Sequence, residues 1–545
     1  MTRLSRRSFL AASAGMALLP LCSARAATAR RLTATRRTLD IHGKAATVFG
    51  LVDEGGRPGL ILAPGERFAL DLTNGLDFDT LIHWHGQIPP NAQDGVPDMP
   101  APMLKPGESR SYDFAARPGT HWMHAHIPEQ EVGLLAAPLI VRSREPDRQE
   151  VVLFLHDFSF TPPAEVLSRI TSGASMAGMG HGMSHDAGGM SGLSGMDMGK
   201  MDMGSMDTGN MDMGAMSGMA MDLNDFDFDA YLANDRTLDD PEVIRVDKGA
   251  PVLVRIINAA SATVFWVDAG ALDARVVAVD GEPVVPLAGR RFGIAMGQRL
   301  DLQVSIPPEG GAFPILALRE GAVERTGIIL ATAGASVAKV AGTGDAAPAF
   351  SADLAQEASL RAVTPLPERP AEVTRMMMLG GQMQPYVWTI DGATYGQHKP
   401  VRARTGERVE IMFHNMSMMA HPMHLHGHKF QVVDMGQGRF AGAVRDTVLV
   451  PPMAMVTVAF DAGEEVDRAA RFQEGGDVCR GPVHGGGAAG SDLLLEEQPE
   501  CLLDDGDGVA GGPVVAVEGA IQEAVPERGG VGVFAQDLER VGGAE

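Results

Sequence analysis

A tight turn feeding a short apolar strand that ends in asparagine occurs three times in this chain. Leu62-Ala63-Pro64-Gly65-Glu66-Arg67 leads to Leu72-Thr73-Asn74, Asp247-Lys248-Gly249-Ala250 leads to Ile257-Asn258, and Arg404-Thr405-Gly406-Glu407-Arg408 leads to His414-Asn415. A pattern repeated on this scale builds several like units. Around it, runs such as Phe68-Ala69-Leu70-Asp71-Leu72 and Val456-Thr457-Val458-Ala459-Phe460 are separated by Gly, Pro, Asp and Asn. Few stretches hold a helical period, so an all-β chain of sandwiches or barrels is predicted. The 545 residues exceed any single small module. Three β-sandwich domains are expected, over 30–145, 146–340 and 365–462.

Charge and cysteine usage narrow the function. Acidic residues outnumber basic ones 69 to 45, for a formal charge of −24, which argues against a nucleic-acid partner because phosphate binding needs a basic face. The cysteines are Cys22, Cys479 and Cys501, so no disulfide framework or cysteine-based zinc site can exist between the first two. Metal chemistry in the body must rest on His, Met and carboxylates.

The start of the chain reads as an address. Ser5-Arg6-Arg7-Ser8-Phe9-Leu10 precedes a mostly apolar run to Leu21, and Ala24-Arg25-Ala26 supplies the small residues of a cleavage site. The apolar run is too short for a membrane span, and nothing later reads as one. A secretory signal over 1–26 is expected, cleaved near Ala26. Its paired arginines point to the twin-arginine export machinery and a bacterial periplasm.

Residues 172–222 interrupt the second unit. Fourteen of the 32 methionines lie between Met176 and Met221, beside His181 and His185. Met196-Asp197-Met198-Gly199-Lys200-Met201-Asp202-Met203-Gly204 is echoed by Met211-Asp212-Met213-Gly214. Gly, Ser and Asp at this density cannot bury a core, so disorder is expected without a ligand. A flexible linker would explain the polarity. Soft-metal capture would explain the methionines, because thioethers are polarisable and select Cu(I); Met196, Met198, Met201, Met203, Met211 and Met213 are secondary candidates for it.

Three His-x-His pairs are present: His83-Trp84-His85, His124-Ala125-His126 and His424-Leu425-His426. Background usage would give about half a pair. Side chains at i and i+2 share one face of a strand, so each pair can present two imidazoles to one point while the residue between turns into the core. Imidazole suits copper, zinc, iron and nickel, so spacing alone does not name the metal. A single pair would read as two histidines on a hydrogen-bonded face; three together read as a metal centre.

The surroundings of these pairs resemble the multicopper oxidases, a family of three-cupredoxin-domain enzymes that includes laccases, cuprous oxidases and copper-resistance oxidases. His83-Trp84-His85-Gly86, Gly119-Thr120-His121-Trp122-Met123-His124-Ala125-His126 and His421-Pro422-Met423-His424-Leu425-His426-Gly427 carry the likeness, which runs from about residue 40 to 462. It implies three cupredoxin-like Greek-key sandwiches and four coppers, with His83, His85, His124, His126, His424 and His426 serving a trinuclear cluster and His421 a type 1 copper. The first and third domains must then face each other. His121 stands where the family usually has an aromatic residue, and His428 is one further i+2 step along; neither is assigned as a ligand. The implied reaction passes single electrons from Cu(I) or a phenolic donor to dioxygen. The Met-rich insert and export signal look most like the periplasmic copper-tolerance members.

The resemblance stops after Phe460-Asp461-Ala462. The family's C-terminal His-Cys-His, which supplies the type 1 thiolate and the last two cluster histidines, is absent. Residues 463–545 contain no Met, Lys, Tyr or Trp, and hold 18 acidic against 5 basic residues. Cys479 and His484 keep a Cys-x-x-x-x-His spacing, but Val478 and Arg480 flank the cysteine, and the match reads as chance. Either the coding frame was lost near residue 463 or a divergent member carries an acidic extension; the coincidence of motif loss and composition change favours the first. A truncated third sandwich with an unpaired edge is expected. Three functions compete: a copper oxidase, a periplasmic copper-sequestering protein without turnover, and a copper nitrite reductase, which would lack the paired His-x-His array.

Overall fold

The computed structural model describes residues 29–96, 101–171, 226–351, 354–383, 386–394, 401–463, 514–515 and 517–519. The leader, the Met-rich insert, Cys479 and His484 lie outside the described residues.

Strands pair into three sandwiches. In the first, Lys44–Asp53, Arg30–Ile41, Phe68–Asn74 and Ser109–Phe114 form one sheet; Leu60–Leu62, Ala136–Val141, Gly119–Ala125 and Ile82–His83 form the other. Burial alternates strictly along Phe68–Asn74, which sets Phe68, Leu70 and Leu72 against Trp84, Met123 and Ala125. The second joins a six-stranded sheet containing Gln149–Phe158, Pro251–Asn258 and Arg299–Ser305 to a five-stranded sheet containing Ala312–Arg319 and Arg325–Thr332. The third has a six-stranded sheet in the order Tyr386–Ile390, Val373–Met383, Arg408–Asn415, Met455–Asp461, Phe430–Asp434, Val444–Arg445. Opposite it, Thr447–Val450 and His421–Leu425 are neighbours. Among the described residues the α-helices are short, at Pro128–Val132, Pro163–Thr171 and Ala355–Ser359. None is long and apolar enough to cross a membrane.

The repeated motif occupies the same place in each sandwich. The strand that it feeds runs parallel to Arg30–Ile41, Gln149–Phe158 and Val373–Met383 respectively. The turn glycines Gly65, Gly249 and Gly406 all have positive φ, at 74°, 69° and 85°, a conformation that glycine adopts without steric cost. Each terminal asparagine is fully buried. Asn74 Nδ2 donates to the carbonyls of Phe78 and Leu104, Asn258 Nδ2 to Thr263 and Ile294, and Asn415 Nδ2 to Met419, Val450 and Pro451. Their Oδ1 atoms accept from the backbone N–H two residues on, at Leu76, Ala260 and Ser417. The asparagine therefore ties the end of a core strand to the loop that leaves it, satisfying backbone groups that burial would otherwise strand.

One expectation is corrected. The inner edge of the third sandwich is not bare: Val517–Gly519 pairs antiparallel with Met423–Leu425, and Val514–Val515 with Val401–Arg402. Two short described segments of the tail thus pair with strands of the third sandwich.

Candidate metal centre

Each His-x-His pair sits at the C-terminal end of a strand. His83 closes Ile82–His83, His124 lies within Gly119–Ala125 and His424 within His421–Leu425, while His85, His126 and His426 stand just beyond those ends. The intervening Trp84, Ala125 and Leu425 are buried in sandwich cores, as strand alternation requires. Gly86, at φ 89°, follows His85; a Cβ there would meet His121 Nδ1 and Arg299 Nη2, so only glycine lets the chain turn away so tightly.

All six imidazoles meet where the first and third sandwiches face each other. His83 is the hub: its ring centroid lies 5.6 Å from His85, 5.6 Å from His124, 5.2 Å from His126, 5.6 Å from His424 and 4.2 Å from His426. Two sets bring one nitrogen each within 4.8 Å of the others, His83 with His126 and His426, and His83 with His85 and His424. The members of the third pair thus separate: His424 stacks on His85 at 3.8 Å, while His426 lies 5.0 Å from His126. His124 completes the ring, its Nε2 3.4 Å from His85 Nδ1.

Hydrogen bonds set the tautomers. His83 Nδ1–H donates to the Asp94 carbonyl and His424 Nδ1–H to the Asp446 carbonyl, each at 2.9 Å. In both rings Nε2 is buried with no hydrogen-bond partner. A buried imidazole with one nitrogen donating outward and the other bare and inward is the arrangement of a metal ligand. His124 Nδ1 is held by the Ala125 carbonyl and Glu131 Oε1, and His426 Nδ1–H donates to Asp94 Oδ2. His85 is turned the other way, with Nε2 3.0 Å from Thr447 Oγ1 and 3.3 Å from Asp446 Oδ1.

Burial drives the His83 pKa below its ordinary value, with His426 adding to the effect and Asp94 opposing it. Burial likewise holds His85 and His424 well below it. These rings are neutral at neutral pH, the form that binds metal.

Charged residues absent from the sequence-based site complete the surroundings. Burial opposes the charge of Asp446, yet Arg299 and Lys429 hold its carboxyl well below the usual range. Arg299 grips it with two hydrogen bonds of 2.6 Å and reaches the Thr120 carbonyl with Nε. Arg445 pairs with Asp280 and Glu357. This buried network joins all three sandwiches behind the histidines. A signal existed: Arg445-Asp446-Thr447 lies inside the apolar run Val444 to Val450, and Arg299 begins another. Charges embedded in core strands must be paired.

The remaining candidates lie apart from both sets. His421 is buried at the far end of its strand, with Nε2 2.8 Å from Ser417 Oγ and its ring 4.8 Å from Trp388; burial pushes its pKa down to about 4. His121 is buried with Nε2 on the Arg117 carbonyl, and His428 Nε2 accepts from Gly463 N–H.

Sequence-family models described as multicopper oxidase match residues 33–146, 150–335 and 368–467. The chain is 29% identical to multicopper oxidase MmcO of Mycobacterium tuberculosis, covering 73% of this chain and 75% of that protein. It is 25% identical to a copper resistance protein A homolog of Pseudomonas syringae pv. tomato, covering 73% and 82%. The crystal structure of Fet3p, described as a multicopper oxidase that functions in iron import, shares the fold with a TM-score of 0.61 at 16% identity, covering 79% of this chain and 84% of that one.

Proposed function

Because the chain belongs to the multicopper oxidase family, we propose that its copper-dependent oxidase chemistry couples oxidation of Cu(I) or phenolic donors to reduction of dioxygen in periplasmic copper tolerance. The observation that carries this reading is the convergence of six imidazoles, five buried and His126 half-buried, with bare inward nitrogens on His83 and His424. The proposed trinuclear copper ligands are His83, His85, His124, His126, His424 and His426, with His421 reserved for a type 1 copper. The domain limits 30–145, 146–340 and 365–462, the twin-arginine leader and Cu(I) capture by the Met-rich insert belong to the same proposal.

Bound copper supplies the one-electron steps from which the four-electron reduction of dioxygen is assembled. The protein's own part is positional. Asp94 aims His83 through its carbonyl and His426 through its carboxylate. Asp446 aims His424 through its carbonyl and faces His85 with its carboxylate. Burial of His83, His85 and His424 excludes bulk water and keeps them neutral.

A second reading, copper holding with impaired turnover, has its own support. No cysteine occurs among the described residues, so His421 has no thiolate partner there, and no electron-transfer step is assigned to it. Without the thiolate, electron uptake from a surface donor is slow. The test is purified full chain loaded with Cu(II), scored for absorbance near about 600 nm, where a Cys–Cu(II) bond is intensely coloured, and for dioxygen uptake with a phenol or Cu(I). The second reading expects bound copper, no strong blue colour and uptake close to baseline. Strong colour with turnover would mean that Cys479 and His484 complete the site, and would overturn the impairment. A chain that binds no copper at the His-x-His pairs would overturn both readings.

A further inference from the structure

The six-stranded sheet of the third sandwich presents a methionine face to solvent. Met376 and Met378 alternate outward from the buried Met377 and Leu379, and Met412 and His414 alternate outward from Ile411 and Phe413. The register places Met376 beside Met412 and Met378 beside His414. On the next strand, His414 faces Met455. Met376, Met378 and Met455 are 51%, 48% and 44% exposed, and beyond Val363 every large apolar side chain exposed among the described residues is a methionine.

The first sandwich provides an internal control. The same positions of its matching sheet carry Arg31 beside Asp71, and Thr33 beside Thr73, which in turn faces Ser109. That face is knitted by ordinary polar contacts, Thr73 to Ser109 at 2.8 Å and Ser111 to Asp71 at 2.6 Å. Five equivalent places in the third sandwich have instead become four thioethers around one imidazole. A solvent-facing sheet gains nothing from methionine as a strand former, because β-branched and aromatic residues fit the pleat better. Methionine also serves promiscuous docking surfaces, and the Ag(I) titration below separates the two uses.

We propose that Met376, Met378, Met412, Met455 and His414 form a surface site for a soft monovalent cation of the Cu(I) or Ag(I) type. Neighbouring strands stand about 4.8 Å apart, and same-face residues along a strand about 6.6 Å. Flexible methionine side chains on that lattice can bring several sulfurs over one point beside His414, and thioethers with an imidazole select d10 copper over harder ions. This site is separate from the six-histidine chamber and does not depend on oxidase activity.

The test is Ag(I) titration of the full chain labelled with 13C-methyl methionine, resonances being assigned by single Met→Leu variants. The methyl signals of Met376, Met378, Met412 and Met455 should shift together along one saturating curve, whatever Ag(I) the Met-rich insert also takes up. Replacing all four by leucine keeps the apolar face; it should leave the thermal midpoint unchanged and remove one Ag(I) equivalent. His414→Gln, a surface change, keeps the proposal testable if the fourfold variant fails to fold. It should weaken the site by no less than the roughly 10–100-fold lost when a mere supporting partner of a ligand is removed. Indifference of the four methyl signals to Ag(I), or an unchanged Ag(I) count in the leucine variant, would overturn the proposal. A protein-docking face would give that pattern.

Discussion

His426 Nδ1–H donates to Asp94 Oδ2 across 2.9 Å, although the two residues stand 332 positions apart in the chain. The Asp94 carbonyl also takes the Nδ1–H of His83, so one residue orients imidazoles from both facing sandwiches. Asp94→Ala should remove the carboxylate acceptor of the His426 Nδ1–H, at about 1–3 kcal/mol. Loss of such a supporting partner weakens metal binding by roughly 10–100-fold. Competition of the variant and parent against a copper chelator checks this; a change below threefold would remove Asp94 from the site.

His83 belongs to both nitrogen sets, whereas His126 and His85 each belong to one. His83→Ala should therefore lower bound copper per chain more than His126→Ala or His85→Ala does. Metal analysis of the three variants after identical Cu(II) loading makes the comparison, and equal losses would show that the hub geometry has no consequence for binding.

Arg299→Met should destabilise the assembly of the sandwiches. The guanidinium is fully buried against Asp446 and Asp280, and removing one partner of a buried pair costs about 3–5 kcal/mol because the other charge remains. Lys429 also reaches Asp446, at 3.0 Å, which favours the lower end of that range. A denaturation midpoint equal to the parent's would contradict the reading of this network as a keystone.

The buried asparagines make their own prediction. Asn258→Ala leaves the Thr263 and Ile294 carbonyls and the Ala260 N–H without their partner. The expected loss is about 1–3 kcal/mol for each group left unsatisfied, with Asn74→Ala and Asn415→Ala behaving alike. Thermal unfolding of the three variants tests it. A neutral result at all three would mean that the repeated asparagine is incidental.

Acid sensitivity should have a source outside the metal centre. Burial lowers the His156 pKa from 6.5 to about 4. The unfolded chain then binds more protons than the folded one between those values, so stability is fully present above about pH 6.5 and falls as pH drops towards 4. At 1.36 kcal/mol per pKa unit the full contribution is on the order of 3 kcal/mol. His156→Leu should flatten the thermal midpoint against pH across that window; an unchanged slope would assign the acid loss to other groups.

The sequence by itself determined the local geometry. Turn, strand and terminal asparagine at Gly65 to Asn74, Gly249 to Asn258 and Gly406 to Asn415 required repeated sandwiches, because positive φ at the glycine and alternating burial along the strand are properties of a few adjacent residues. His-x-His spacing likewise determined that Trp84, Ala125 and Leu425 would be buried while their neighbours faced a common space.

Only the tertiary structure decided which faces meet. The spacing suggested that each pair would act as a unit, and His83 and His85 do share a set. Yet the third pair is split, His424 joining His85 and His426 joining His126, because strand ends approach from opposite sandwiches and interleave. The supporting charges Asp94, Arg299 and Asp446 carry no spacing relation to the histidines, since their pairing arises where separate sheets pack. The methionine face was equally invisible. Met376, Met412 and Met455 lie on three strands far apart in sequence, and only strand register makes them neighbours. Periodicity is local and tells a side chain which side of its strand it occupies; what stands across from it depends on the packing of distant segments against one another.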